Sequence, residues 1–215
     1  MLRILLADDH EVVRRGLREQ LSAHDGWEIC GEACDGREAV KLALKLAPDV
    51  AVIDLSMPVL NGLEATRQIR RDLPRTEVLI FTMHETEQLI REVLSAGARG
   101  YVLKSDISRH LINAVEALSH HKPFFTARVS EALLDAFLKS GAKADEGSVF
   151  RMLTDREREI VQMLAEGKSN KEIATGLSIS VKTVETHRAT VMRKLDINSI
   201  VELVHYAIRN QIVEP

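Results

Sequence analysis

Aromatic residues make up only 4% of this 215-residue chain. Any core must therefore be built from Leu, Ile, Val and Ala, and a hydrophobic content of 45% beside 28% charged residues is enough for one. No stretch approaches the roughly 18 apolar residues of a membrane span. The opening MLRILLADDH has too short an apolar run for an export signal and no small-residue cleavage site. It reads as a strand, and a cytoplasmic chain without membrane contact is expected. Cysteine is nearly absent. Cys30 and Cys34 are spaced more loosely than a C-x-x-C pair and have no second pair to match, so buried free thiols in a reducing compartment are expected. No G-x-G-x-x-G follows the first apolar run, which argues against a dinucleotide site. The net charge of −3 excludes a generally basic surface. Residues 180–195 are locally positive, with Lys182, Arg188, Arg193 and Lys194 against Glu185.

What is present is an alternation. Short apolar runs at Leu2–Ala7, Trp27–Cys30, Val50–Ile53, Val78–Phe81 and Gly100–Leu103 suit buried parallel strands. Between them apolar residues recur at helical spacing, as in Val13, Leu17 and Leu21, or Leu111, Val115 and Leu118. Five βα units imply an α/β fold with a five-stranded, doubly wound parallel sheet, over residues 1–122. A further amphipathic helix is expected at 127–138. After it, residues 139–148 lack periodicity and are rich in Gly, Ala and charge, so 123–148 reads as a linker helix followed by a flexible linker. From 149 to 215 the pattern is wholly helical. Thr154 with Glu157 and Ser169 with Glu172 have the form of capping boxes, and Ser180 can cap a third helix to about Leu195. A fourth is expected over about 199–209. The few residues between the second and third helices give helix-turn-helix spacing.

In an open parallel sheet, ligands bind outside the carboxyl ends of the strands. The polar residues at those ends are Asp8 and Asp9, Asp54, Thr82 and Lys104. Three carboxylates at one rim repel unless a cation or proton intervenes, and Mg2+ suits hard oxygen ligands. Lys104 and Thr82 add an ammonium and a hydroxyl, which together are what a phosphoryl group needs. An isolated Asp, Thr or Lys at a strand end is usually a cap or a solvated residue. Five of them gathered at the ends of four strands are not explained that way.

The pattern Asp8-Asp9, Asp54 with Met57, Pro58, Asn61 and Gly62 after it, Thr82 and Lys104 resembles the receiver domain of two-component response regulators over residues 1–120. The resemblance implies that Asp54 accepts phosphate from a sensor histidine kinase. It implies that Asp9 contacts the metal directly, Asp8 partly through water, and the Ser56 backbone carbonyl as a further ligand. Thr82 and Lys104 would contact the phosphoryl group, and Tyr101 would move inward on activation. Ser105 stands where the family often has proline, which leaves open whether the Lys104–Ser105 bond is cis. Ser56 and His84, two residues beyond Asp54 and Thr82, are placed to set the lifetime of the phosphorylated state.

Within 180–195, Val184, His187, Val191 and Leu195 share one side and should pack inward. Lys182, Thr183, Glu185, Thr186, Ala189, Arg193 and Lys194 point mainly outward, and with Arg188 they are the expected DNA contacts. Early residues would reach bases and cations would bind phosphates. Glu185 could accept from a cytosine amino group or repel the backbone. Leu153–Glu159, Gly167, Asn170–Ala174, Thr183-Val184, His187 and Lys194-Leu195 resemble the LuxR-type DNA-binding module. The whole chain thus resembles a response regulator of the NarL/FixJ subfamily, binding promoter DNA and pairing as a homodimer when phosphorylated. Two other readings stand against this one. An aspartyl-nucleophile phosphatase would want a second Asp where Ser56 stands, so an enzyme turning over external substrates is not expected. An adaptor without DNA output would use the C-terminal helices to bind protein.

Overall fold

The computed structural model describes residues 1–83, 86–127, 129–131, 153–210 and 212–213. Two compact units divide the chain, Met1–Lys143 and Ala144–Pro215.

The first unit alternates strand and helix: β1 (Leu2–Ala7), α1 (Glu11–Ser22), β2 (Trp27–Ala33), α2 (Gly36–Leu46), β3 (Val50–Asp54), α3 (Gly62–Asp72), β4 (Glu77–Thr82), α4 (Glu87–Ser95), β5 (Gly100–Leu103) and α5 (Ile107–Ser119). A sixth strand, β6 (Phe124–Phe125), follows. All pairings are parallel, in the order β2-β1-β3-β4-β5-β6. The order reverses between β1 and β3, and this places the ends of those two strands at the switch point where ligands bind such sheets. Each face carries its own core. Leu5, Ala7, Ile53, Ile80 and Tyr101 belong to one cluster, and Ile4, Leu6, Val52, Phe81 and Val102 to the other.

Five strands were expected and six are found. Phe124 pairs with Gly100 and Phe125 with Tyr101. Two residues are too few to show a period of two, so only the edge they complete reveals them. Val129 also belongs to the first core cluster, so packing of the first unit reaches past residue 122. Residues 127 and 129–131 are helical, and the remainder of the helix expected at 127–138 lies outside the described residues, as does the linker at 139–148.

The cysteines depart from expectation as well. Cys30 is half-buried on β2, but Cys34 is exposed. It sits beyond the strand end, where its backbone N–H and its thiol both donate to the Glu38 carboxylate, at 2.9 and 3.3 Å. Its placement follows from the end of the sheet, which apolar neighbours in the sequence do not mark.

The second unit contains α6 (Asp155–Ala165), α7 (Asn170–Gly176), α8 (Val181–Lys194) and α9 (Ile200–Arg209). Both capping boxes form. Thr154 accepts from the Glu157 N–H while the Glu157 carboxylate accepts from Thr154, and Ser169 and Glu172 do the same. Ser180 caps α8, accepting from the Thr183 N–H at 3.0 Å. A core of Ile160, Val161, Ile173, Val184, Val191, Leu203 and neighbours holds the four helices together.

Candidate functional site

The acidic rim is built by the ends of several strands. Asp54 closes β3 and is 1% exposed; Asp8 follows β1 and is 0% exposed. Helix α3 begins hard against β3. A Cβ on Gly62 would collide with the Asp54 carbonyl oxygen, so only glycine lets the helix start there. The Gly62 N–H donates to the Leu55 carbonyl at 2.8 Å, and the Asn61 side chain caps α3 by accepting from Glu64 at 2.9 Å.

Lys104, in a 3-10 turn (Lys104–Asp106) after β5, reaches across the rim. Its Nζ lies 2.8 Å from Asp54 Oδ2, 3.0 Å from Asp8 Oδ2 and 5.0 Å from the centre of the Phe81 ring. Burial alone would lower the lysine's pKa, but the Asp54 and Asp8 carboxylates together raise it above its ordinary value. Burial pushes the Asp54 carboxyl up to about 6, against the pull of Lys104, and the Asp8 charge adds to the rise.

One ammonium thus faces two buried carboxylates, and a third carboxylate, Asp9, stands beside them 34% exposed. His10 joins them. Its ring Nδ1 is 2.7 Å from Asp9 Oδ1 and 3.2 Å from Asp8 Oδ1, and its backbone N–H donates to Asp8 Oδ1 at 2.7 Å. Asp8, Asp9, His10 and Asp54 offer donor atoms within 4.8 Å of one another. Excess negative charge and mainly carboxylate oxygens at that spacing fit a small divalent cation.

Thr82, fully buried, ends β4. It pairs with Leu103 as Ile80 pairs with Tyr101, so Thr82 and Tyr101 lie on one face of the sheet. Tyr101 is already inward at 0% exposure. Ser56 is half-buried, and the Lys104–Ser105 bond is trans. His84 lies outside the described residues.

The raised Asp54 pKa makes a stability prediction. The folded protein holds this proton more tightly than the unfolded chain, whose carboxyl titrates near its ordinary value of 3.8. Stability therefore falls as pH rises through about 4 to 6, and the penalty is fully present above that window, on the order of 2–3 kcal/mol. In EDTA at pH 7.5, Asp54→Asn should melt roughly 5–10 °C above the parent. The gain should shrink as pH is lowered towards 5. Thermal melts at both pH values check this, and an unchanged or lower melting temperature at pH 7.5 would contradict it.

On the second unit, α8 buries Val184 and Val191 and half-buries His187 and Leu195. Lys182, Glu185, Thr186, Ala189 and Arg193 are exposed; Thr183 and Arg188 are partly so. A shallow surface is lined by Lys182, Glu185, Thr186, Ala189, Thr190 and Arg193. The Thr186 and Thr190 hydroxyls donate back to the carbonyls of Lys182 and Thr186, at 2.9 and 3.0 Å, which leaves methyl groups and oxygen lone pairs outward. A second depression beside it brings exposed Lys168 and Lys171, at the start of α7, to Arg188 and Glu185. The sequence reading did not include these two lysines; Lys168 directly precedes the Ser169 cap and Lys171 lies inside that capping box, which was the available signal.

Lys194 is placed differently from its companions. Its Nζ lies 2.7 Å from Glu157 Oε2 in the first capping box. Burial would raise the Glu157 carboxyl, but Lys194 and the Thr154 N–H hold it below its ordinary range. Losing Lys194 strands a buried carboxylate, so Lys194→Met should cost the second unit about 1–3 kcal/mol. Arg193→Met should cost almost none. Chemical denaturation of the two variants compares them; equal stability would mean the ion pair holds nothing.

The fold and the acidic rim with its lysine define a receiver, and the four helices define a helix-turn-helix module. The comparisons agree. Residues 4–116 match the response regulator receiver domain and residues 151–207 the bacterial regulatory proteins of the luxR family. The chain is 40% identical over 213 residues to the transcriptional regulatory protein LiaR of Bacillus subtilis, covering 99% of this chain and 100% of LiaR. It is 39% identical over 216 residues to the oxygen regulatory protein NreC of Staphylococcus carnosus, at 99% and 100% coverage. Among solved structures it is similar to RcsB from Salmonella enterica serovar Typhimurium bound to promoter rprA in the presence of the phosphomimetic BeF3−, with 29% identity, a TM-score of 0.58, and 96% and 98% coverage. The chain belongs to the response regulators that join a receiver to a LuxR-type DNA-binding domain, a family of DNA-binding transcription regulators rather than classical enzymes. Among the described residues no helix is long and apolar enough to cross a membrane.

Proposed function

We propose that Asp54 accepts a phosphoryl group from a sensor histidine kinase and that this modification controls binding of promoter DNA by α8. The observation that carries the reading is the buried triangle of Asp54, Asp8 and Lys104, with one cation set between two carboxylates. An Asp54 oxygen attacks phosphorus as the bond from phosphorus to the donor's imidazole nitrogen breaks, and the electron pair leaves with the imidazole. Asp8, Asp9 and Asp54, with the Ser56 carbonyl, would hold Mg2+, which supplies positive charge for the equatorial oxygens. Lys104 would pass from the Asp54 carboxylate to a phosphoryl oxygen, and the Thr82 hydroxyl would donate to another. Burial of Asp54 keeps bulk water from the mixed anhydride. Ser56 and His84 would govern the access of hydrolytic water, giving slow release of phosphate and no turnover of external substrates.

On the second unit, Lys182, Arg188 and Arg193 would bind phosphates, while Thr183, Glu185, Thr186 and Ala189 would meet base edges. Lys194 would act through Glu157 to hold the helix. Phosphorylated copies would pair on two half-sites, because one small module neutralises few phosphates. The solved RcsB structure, bound to promoter rprA in the presence of the phosphomimetic BeF3−, is the kind of state proposed for this chain.

Acetyl phosphate with Mg2+, followed by intact mass measurement, should add a single phosphate to the full-length protein. The same reaction in EDTA should leave the mass unchanged. Full labelling in EDTA, or addition of several phosphates, would remove the metal-assisted single-acceptor reading.

A further inference from the structure

The acidic rim is tied from behind by a cation that is not part of it. Arg14 lies one turn into α1, and its Nη1 donates to the backbone carbonyl of Asp8 at 2.7 Å. The side chain is only 17% exposed. Asp8 stands where the sheet ladder ends: its N–H still donates to the Ala33 carbonyl, at 3.2 Å. Beyond that point a strand carbonyl needs a partner from outside the sheet. Arg14 supplies one, and in doing so fixes the peptide plane between Asp8 and Asp9. Both carboxylates hang from that plane.

Arg14 is itself held. Glu32 on β2 places Oε2 3.9 Å from Arg14 Nε, and its other oxygen lies 2.8 Å from Arg18 Nη1. The row Arg18, Glu32, Arg14, Asp8 carbonyl therefore runs from the outer strand to the rim. Partners one step removed from a metal site orient its ligands and tune their basicity.

We propose that Arg14, oriented by Glu32, is a positioning residue that sets the affinity of the Asp8–Asp9–Asp54 site for its divalent cation; this rests on the reading of that site given above. A tie serving only to fasten α1 to the sheet would change stability alone. A positioning tie changes the cation concentration at which the site fills.

The test uses the full-length protein and its Arg14→Met, Arg14→Lys and Glu32→Gln variants. Two measurements are made against Mg2+ concentration: the rise in melting temperature, and labelling by acetyl phosphate. Arg14→Met should move both midpoints upward by about tenfold, within the range known for partners of metal ligands. Labelling at saturating Mg2+ should stay near that of the parent. Arg14→Lys keeps the charge without the fork and should shift less, and Glu32→Gln should shift both midpoints in the same direction. A folded Arg14→Met protein with the parent's midpoints would overturn the proposal. Should that variant fail to melt cooperatively, unchanged midpoints in Glu32→Gln would overturn it equally. A parent protein whose melting temperature ignores Mg2+ would instead bring down the reading of the site itself.

Discussion

The Asp54→Asn protein takes up no phosphoryl group under conditions that label the parent, and its promoter affinity no longer responds to a phosphodonor. The amide lacks the nucleophilic charge, and Lys104 then has only Asp8 to pair with. In the parent, phosphorylation should raise both self-association and promoter affinity. Coupling between two sites is typically worth roughly 5- to 150-fold in affinity, and a rise in that range is expected. Phosphorylation must favour one receiver state over another for any such shift, because a modification that treats both alike moves nothing. Sedimentation and promoter titration, with and without acetyl phosphate, measure the two effects on the same preparations. Equal association and equal affinity in the two forms would remove the switch while leaving the acceptor assignment intact.

The second large effect lies on α8. Replacing Lys182 and Arg193 together with alanine should lower promoter affinity at least about tenfold in low salt and flatten the dependence of log affinity on log salt by about 2, one for each lost phosphate contact. Both side chains are exposed on the surface that also carries Thr186 and Ala189. Glu185→Gln separates the two readings of that residue. Loss of discrimination at one base pair marks a base contact; uniform tightening on all sequences marks relief of repulsion. An unchanged salt slope in the double variant would place the DNA on another face.

Much of this was legible in the sequence because strands and carboxylates obey short-range rules. Apolar runs gave β1, β3 and β5, and the polar residue ending each run fell at one rim. Capping boxes at Thr154 and Ser169 announced helix starts by a spacing of three residues. Contacts made over long separations were not legible. Glu157 and Lys194 are 37 residues apart, and nothing local to Lys194 distinguishes it from Arg193. The same holds on the opposite rim, where His121 meets the buried Glu77 at 2.8 Å across 44 residues, with Arg99 and Arg70 also beside that carboxylate. His10 is different again. It directly follows the two aspartates, but its ring nitrogen is brought to them only by the turn that starts α1. Arg14 reads as an ordinary polar position on an amphipathic helix until the sheet places the Asp8 carbonyl beneath it.

The close seating of Gly62 on Asp54 gives the rim unequal stiffness. A glycine at 36 is fitted against the Leu60 carbonyl in the same way, so α2, the loop 55–61 and the start of α3 abut backbone to backbone with no side chain between them. Backbone contacts of that kind have no rotamers through which to yield. On the other flank, Thr82 ends β4 with a buried side chain, and Tyr101 lies fully buried on the same face of the sheet. A displacement at Asp54 therefore meets a stiff wall on the α3 side, where close-packed backbone has little room to yield.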